Sequence, residues 1–310
     1  MKIFSWIIKD TNIDFMSMRK PTYALSILMV AASIALIALK GFNYGIDFSG
    51  GILIEIKSPE VIDMQEIREK LSDIDIGEVN LQTIGNTGDE LMIRAQASNL
   101  DEKEQMDAVN KIKQIIGDDV DYRKVELVGP QVGDELKRDG IIAAVLALAA
   151  ISIYVWVRFE WQFAIGTMIG LAQDGIVAAG LLSLFDMDFS LTTVAALLTL
   201  IGYSVNDKVV TYDRVRENLG KYKKMPQYDL INKSVNDVLS RTFLTGISTI
   251  GAASILLVLG GDTLRSFSFV LTFGILVGIY SSIFTSSLIL NLFDLRKTQE
   301  EDKINPFGAV

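Results

Sequence analysis

The apolar residues of this chain are gathered into long uncharged runs, and one charged, alternating block separates the first run from the rest. Six runs are each close to the roughly 20 residues that a membrane-spanning helix needs. They cover residues 22–39, 141–157, 161–185, 189 to about 210, 242–261 and 266–293. Only the third and fourth contain charged residues. The pattern therefore predicts six transmembrane helices.

Residues 42–137 follow a different pattern, with strand-like and amphipathic helical segments in alternation. Strands are predicted at 52–56, 79–84, 91–95 and 120–128. Helices are predicted at 64–71 and 102–116, and residues 85–88, Gly-Asn-Thr-Gly, are typical of a hairpin turn. The order β-α-β-β-α-β predicts a ferredoxin-like split unit.

The predicted fold is an α-helical integral membrane protein with six transmembrane helices and an α+β ferredoxin-like extracytoplasmic domain between helices 1 and 2. The predicted parts are a cytoplasmic segment (1–21), a first transmembrane helix (22–41), a periplasmic domain (42–137), a five-helix transmembrane domain (138–293) and a cytoplasmic tail (294–310). A cleaved signal peptide is the competing interpretation of the first run. Its long apolar core and the lack of a convincing cleavage site before Lys40 favour an uncleaved helix.

The charges are segregated in the same way. Residues 43–137 hold 21 acidic and 10 basic side chains, whereas the remainder holds 17 acidic and 19 basic, and the net charge is −9. Basic residues crowd the predicted loop between the fourth and fifth runs, at Arg214, Arg216, Lys221, Lys223, Lys224 and Lys233. The positive-inside rule then places both termini in the cytoplasm and the 42–137 domain outside. No basic face is present overall, which argues against a nucleic-acid partner.

The chain has no cysteine and no histidine. This composition excludes a disulfide framework, a Cys/His metal site and a Cys or His nucleophile with its base. The glycines of residues 45–51 lack the lysine pattern of a phosphate-binding loop, so no nucleotide site is predicted. We expect no enzyme activity, no metal and no cofactor, and any work must be driven by an ion gradient or a partner.

Two carboxylates are the candidate working groups. Asp174 lies near the middle of the third run, where an unpaired carboxylate costs several kcal/mol. It is either functional or a paired group that fixes helix packing, with Gln173 as a candidate partner. Asp207 follows Asn206 near the end of the fourth run. Either Asp207 and Lys208 reach the headgroups at an interfacial helix end, or Asp207 titrates inside a helix bundle.

Arg241 opens the fifth run and is followed by Thr242, Thr245 and Thr249 at helical spacing. Arg241 is either an interfacial anchor or, if this face meets the fourth run, the partner of Asp207. A mobile Arg–Asp contact would be a physically reasonable proton gate. The threonine face suits hydrogen bonding to water or to a neighbouring helix.

Four stretches, in this order and at these spacings, carry a specific resemblance. They are Gly-Ile-Asp-Phe-Ser-Gly-Gly at 45–51, Val-Gly-Pro-Gln-Val-Gly-Asp-Glu-Leu at 128–136, the polar end of the fourth run at 202–218, and Arg241-Thr242. Over nearly its whole length the chain resembles the SecF subunits of the SecD/SecF family of bacterial protein export. The SecF subunits of that family are similar to one half of the resistance-nodulation-division transporter plan, and their partner SecD supplies the other half.

The resemblance implies a multi-pass subunit of the bacterial inner membrane that uses the proton-motive force, together with SecD, to promote late export of unfolded preproteins from the SecYEG translocon. It implies a proton path through Asp207 and Arg241, facing a SecD carboxylate, with Asp174 at another polar position. Many relatives carry a histidine where this chain has Gln173, which removes one titratable group. The sequence leaves open whether Na⁺ replaces H⁺.

Two other functions fit the same architecture. A passive assembly scaffold would use Asp207 and Arg241 only to hold helices together. A small-molecule efflux subunit would favour a larger outer region with a substrate pocket, whereas residues 42–137 form a single compact block.

Overall fold

The chain separates into two compact units. One comprises Met1–Phe42, Val145–Met187 and Ala195–Val310, and the other comprises Asn43–Ala144 and Asp188–Val194. The computed structural model describes residues 11–72, 77, 79–84, 88–95, 102–117 and 119–296. Most of the predicted cytoplasmic tail and about half of the predicted N-terminal segment lie outside these residues.

The second unit is built on a four-stranded sheet. Its elements in chain order are β1 (Asn43–Tyr44), α2 (Ile46–Ser49), β2 (Gly51–Lys57), α3 (Met64–Ser72), β3 (Val79–Ile84), β4 (Glu90–Ala95), α4 (Glu102–Ile116), β5 (Asp121–Val128) and β6 (Asp188–Phe189). The strands lie in the order β3-β4-β2-β5 with every neighbouring pair antiparallel. From β2 to β5 the strands and helices follow the predicted β-α-β-β-α-β order. Residues 85–87 of the predicted hairpin turn lie outside the described residues.

One face of the sheet is buried under the two helices. Ile52, Ile54 and Ile56 alternate along β2 and are fully or almost fully buried. They share a core with Leu71 of α3 and Ile112 of α4. This core exists because side chains two residues apart on a strand point to the same face.

A second, two-stranded parallel sheet pairs β1 with β6. Asp188 of β6 accepts hydrogen bonds from Asn43 at 2.8 Å and from Arg94 of β4 at 2.9 Å. Asp47 accepts a hydrogen bond at 2.9 Å from the backbone N–H of Leu191. Leu191 is the first residue of a helix, and a carboxylate at this end stabilises a helix by satisfying a free N–H and opposing its dipole.

The remaining helices are long. They are α1 (Arg19–Lys40), α5 (Pro130–Arg158), α6 (Trp161–Leu184), α7 (Leu191–Lys221), α8 (Gln227–Leu259) and α9 (Gly261–Tyr280). A six-residue π-helix, Ser281–Ser286, follows α9 and leads into α10 (Ser287–Ile289) and a 3₁₀ turn, Leu290–Leu292. A π-helix of this kind is often found at functional sites.

Within the described residues, five helices are long and apolar enough to cross a membrane. They are Arg19–Lys40, Gln131–Arg158, Trp161–Leu184, Gln227–Leu259 and Thr263–Leu292. Helix α7, the predicted fourth span, is not one of the five, because Asn206, Asp207 and Lys208 interrupt its apolar half. The sixth span therefore stays a prediction.

The connection between α7 and α8 is shorter than the predicted basic loop, and of the six basic residues only Lys223 and Lys224 lie in it. Helix α7 continues to Lys221 and α8 begins at Gln227, so Arg214, Arg216 and Lys233 lie on helices. A hydropathy pattern detects only the apolar part of a helix and does not show where the helix continues with polar residues. Arg214 links the two extensions, and its hydrogen bonds to Glu217 and Asp237 raise the pKa of its guanidinium.

Glycines allow the first unit's helices to approach closely. Gly180 of α6 lies against Ser33 of α1, where a Cβ atom would stand 2.8 Å from the Ser33 Cα. Gly274 of α9 lies against the side chain of Leu200 of α7, where a Cβ atom would meet Leu200 Cδ1 at 3.0 Å. Small residues let helix backbones pack tightly in a membrane, where van der Waals contact drives helix association.

We expect Gly180→Ala to destabilise the protein by about 1–3 kcal/mol, because the new methyl group meets backbone that cannot give way. The measurement is thermal unfolding in detergent. Gly251→Ala is the control, since outside the adjacent backbone of α8 no described atom lies within 4 Å of a Cβ at that position. A melting temperature lowered equally by both changes would contradict the proposed packing constraint.

Candidate functional site

A buried ion pair lies between α6 and α7. Lys208 Nζ is 2.8 Å from Asp174 Oδ2, and both side chains are 0% exposed. Asp174 is therefore paired, but with a partner other than Gln173, and its functional role stays a prediction. The interpretation that Lys208 reaches the headgroups is wrong, because its side chain has no exposed surface.

Two serine hydroxyls complete the surroundings of the ammonium group. Lys208 Nζ donates to Ser204 Oγ at 2.5 Å and to Ser281 Oγ, the first residue of the π-helix, at 2.9 Å. Ser204 in turn donates to Asp174 Oδ2 at 2.5 Å. The three donors of an ammonium group therefore have three oxygen acceptors. Asp174 Oδ1 is buried and has no hydrogen-bond partner among the described residues.

Gln173 belongs to a neighbouring polar chain. Its Oε1 accepts a hydrogen bond from Thr285 at 2.9 Å, and Thr285 lies 3.0 Å from the hydroxyl of Ser26 on α1. The hydroxyl of Ser26 also lies 3.3 Å from the hydroxyl of Tyr280, and Tyr280 donates a hydrogen bond to the Thr22 carbonyl. Side-chain hydrogen bonds of this kind join α1, α6 and the π-helix.

Asp207 faces α8. Its Oδ1 accepts a hydrogen bond from Thr242 at 2.6 Å, whereas Oδ2 is buried without a hydrogen-bond partner among the described residues. The face carrying Thr242 therefore meets α7, as the sequence suggested. However, no ion pair between Asp207 and Arg241 is formed within the described part of the chain. The residue that holds Asp207 is the threonine next to the arginine.

The other predicted residues lie around this contact without joining it. Arg241 is exposed and lines a cleft of about 400 Å³. The cleft is also lined by Val210, Asp213, Arg214, Glu217, Asp237 and Val238. Thr245 donates to carbonyls of its own helix, at Arg241 and Thr242, rather than to a neighbouring helix. Asn206 is exposed.

Lys208 is the residue of this site that sequence reasoning missed as the partner of Asp174. It is the only basic residue within the six predicted runs. A carboxylate at mid-membrane depth needs a counter-charge, so Lys208 was the available candidate. Ser204 four residues earlier lies on the same face of the helix, a second signal that this face is polar.

These features define a class of protein: a helical membrane protein whose spans enclose a paired charge, joined in one chain to an α+β unit. The chain matches the family model of the protein export membrane protein SecD/SecF, C-terminal, over residues 108–296, and that of the SecD/SecF GG motif over residues 35–58.

Comparison with relatives extends the match to most of the chain. It is 45% identical over 293 residues to protein translocase subunit SecF of Rickettsia bellii, covering 93% of this chain and 96% of that protein. It is 46% identical over 290 residues to the same subunit of Rickettsia felis, covering 92% and 93%. The chain belongs to the SecD/SecF family of protein export membrane proteins. Its relatives are named as translocase subunits, which are not enzymes.

Solved structures show the same fold. The crystal structure of SecDF, a translocon-associated membrane protein from Thermus thermophilus, is 32% identical, with a TM-score of 0.81 over 91% of this chain. SecDF in a super-membrane-facing form is also 32% identical, with a TM-score of 0.68 over 96% of this chain. The chain spans 39% and 41% of the length of those two proteins.

The ion pair gives a direct prediction. We expect Lys208→Met to destabilise the protein by about 3–5 kcal/mol, because it leaves a buried carboxylate without its counter-charge. Lys208→Met/Asp174→Asn should recover most of that loss, since both charges are then absent. Thermal unfolding in detergent of both single variants and the double variant measures the coupling. Additive losses would show that the pair is not an energetic unit.

The contact of Thr242 with Asp207 gives a second prediction. We expect Thr242→Val, a change of similar shape, to cost about 1–3 kcal/mol, because it removes the hydroxyl donor to a partly buried carboxylate. Thr249→Val is the matched control, since that hydroxyl donates at 2.9 Å to Thr245 in its own helix. Unfolding temperatures compared in the same detergent test the difference, and equal losses would contradict the assigned contact.

Proposed function

We propose that this chain is an accessory subunit of the Sec preprotein translocase in the bacterial inner membrane. In this proposal it works with SecD and uses the proton-motive force to promote the late export of unfolded preproteins from SecYEG. Its membership of the SecD/SecF family supports the export role. The description of the matched SecDF structure as translocon-associated supports the link to the translocon.

The proposed use of the proton gradient rests on the Asp207 carboxylate, of which only one oxygen accepts a hydrogen bond among the described residues. One oxygen accepts from Thr242, and the other is buried without a donor among the described residues. Buried carboxylate oxygens are normally hydrogen-bonded, so an unpartnered one marks a site that is completed in another state or by another group. A proton, Arg241 or a group from SecD could each complete it.

Arg241 is well placed for that role. It is adjacent in sequence to the threonine that holds Asp207, and it lines the open cleft at this end of α7 and α8. A proton on Asp207 would remove its charge and weaken any contact with the guanidinium. By contrast, Asp174 already has an internal counter-charge. We therefore assign proton uptake to Asp207 and a supporting role to Asp174.

The proposed arrangement in the membrane has six spans, both termini in the cytoplasm and a ferredoxin-like domain in the periplasm. The β-α-β-β-α-β order and the antiparallel sheet support the ferredoxin-like assignment. Moving one proton charge through 100 mV releases about 2.3 kcal/mol, enough to bias a modest motion of such a domain.

A SecD partner would also account for the exposed apolar surface of the first unit. Only 6% of the apolar part of the second candidate span is buried inside the chain. Lipid and SecD would cover these faces. The matched SecDF chains are more than twice as long as the region that this chain matches, which supports a partner of comparable size.

A passive scaffold is the second candidate function. The observation in its favour is the Asp174–Lys208 pair, which joins α6, α7 and the π-helix without any exposed surface. Such a pair needs no ion flow to hold helices together. In this alternative Asp207 and Thr242 would only add a further contact between α7 and α8.

The test is Asp207→Asn in vesicles containing this chain, SecD and SecYEG. We expect export to lose its dependence on the proton gradient while the complex still assembles, because the amide cannot take up or release a proton. The measurements are precursor release with and without a gradient, across pH and Na⁺ concentration, and co-purification of SecD.

Asp229→Asn is the control, since this carboxylate is exposed in the first turn of α8. It should leave the gradient dependence intact. Unchanged gradient dependence in Asp207→Asn would refute the proton role, and loss of SecD co-purification would favour the scaffold.

A further inference from the structure

The Lys208 ammonium group lies in a cradle made only of oxygen atoms. Asp174 Oδ2, Ser204 Oγ and Ser281 Oγ surround Nζ at 2.5–2.9 Å. The three come from α6, α7 and the π-helix. One acceptor carries a formal negative charge, so the cradle and the ammonium group together are neutral.

The helices are shaped around the aliphatic part of this lysine. A Cβ atom at Gly170 of α6 would collide with Lys208 Cε and with Ser286 Oγ. A Cβ atom at Gly278 of α9 would stand 3.3 Å from Ser204 Oγ. Glycine at these two positions therefore provides the volume that the lysine and its serine neighbour occupy.

Two more oxygen atoms of these residues and their neighbours have no partner in the part of the chain that the structure describes. Asp174 Oδ1 and Ser286 Oγ are both buried and unbonded among the described residues. Asp174 is 0% exposed, and Ser286 is 0% exposed. An unpaired carboxylate oxygen in such a place has a residual attraction for positive charge.

A carboxylate and several hydroxyl oxygens that converge on one point inside a membrane domain form the donor set of a monovalent-cation site. We propose that the Lys208 ammonium group is a built-in cation that occupies such a site. Hard cations such as Na⁺ and Li⁺ prefer oxygen ligands, and the ammonium group supplies the same unit charge through a covalent tether. While Lys208 fills the cradle, Asp174 does not bind an alkali-metal ion.

Shortening the lysine should convert the cradle into an ion-binding site. Lys208→Ala removes both the stem and the charge, so it leaves a cavity beside an unpaired carboxylate. Na⁺ or Li⁺ can then restore neutrality there. Lys208→Met removes the charge but keeps the bulk, so it offers no space for an ion and serves as the matched control.

The experiment measures the melting temperature of the purified chain in detergent, with NaCl, LiCl, KCl or choline chloride at equal ionic strength. We expect the unaltered chain to show no difference between these salts beyond about 1 °C. Lys208→Ala should show a saturable rise of about 3 °C or more with Na⁺ or Li⁺ over choline, because a ligand that binds only the folded state stabilises it. Lys208→Met and Lys208→Ala/Asp174→Asn should lose the response.

Three results would overturn the proposal. One is Na⁺-specific stabilisation of the unaltered chain. Another is an equal response of Lys208→Ala to Na⁺ and choline, which would mean that Asp174 simply takes up a proton. The third concerns the case in which little Lys208→Ala protein can be purified. The yield of monodisperse protein is then compared between NaCl and choline chloride, and equal yields would overturn the proposal. No SecD or gradient is needed, so the outcome is independent of the proposed proton coupling.

Discussion

The first unit depends on how one carboxylate is kept inside an apolar helix bundle. An isolated charge at mid-membrane depth costs about 2.5–3.5 kcal/mol on insertion scales, and a lysine there costs a similar amount. When Asp174 and Lys208 meet at 2.8 Å with serine hydroxyls around them, each offsets part of the other's penalty. The contact requires α6, α7 and the π-helix to meet at one place. The glycines that permit this approach are therefore part of the same constraint.

Much of the fold could be predicted from the sequence because its periodicity is strong. The strands of the four-stranded sheet lie within one or two residues of the alternating segments, and α4 spans 102–116 as predicted. The core residues Ile54 and Ile112 are apolar at positions that the 2.0 and 3.6 periods place inside. The parallel pairing of β1 with β6 was not predicted, because it joins residues more than 140 positions apart by a two-residue match.

Helix ends were predicted less well, for a physical reason. Apolar runs mark where a helix is in contact with lipid or core, whereas a helix can continue into water where contacts with other elements stabilise it. Helix α8 begins 15 residues before the apolar run that predicted it, and α7 continues well past the end of its own run. Polar contacts such as that of Arg214 with Asp237 hold these extensions together. Such contacts leave no hydropathy signal.

The sequence identified individual residues of the site, but it did not predict which of them contact each other. Asp174 and Asp207 were found because carboxylates are rare in apolar runs, and Thr242 because it lies on a polar helical face. The contacts that a side chain makes depend on its direction around the axis of α7, and consecutive residues of a helix differ in direction by about 100°. Lys208 and Asp207 are sequence neighbours, yet they face α6 and α8 respectively.

That difference in direction places two differently bonded carboxylates on different sides of α7, namely Asp174, which belongs to α6, and Asp207 of α7 itself. On the α6 side, Asp174 is neutralised by a tethered ammonium group whose donors are all used. On the α8 side, Asp207 has one neutral donor and one bare oxygen. Each carboxylate has one oxygen without a partner among the described residues, so the two differ in the charge of their donors. A proton on Asp174 would leave the buried ammonium group of Lys208 without its counter-charge, which is costly. Among the described residues no such charge is left behind by a proton on Asp207, so a change in charge is easier to accommodate at the contact between α7 and α8.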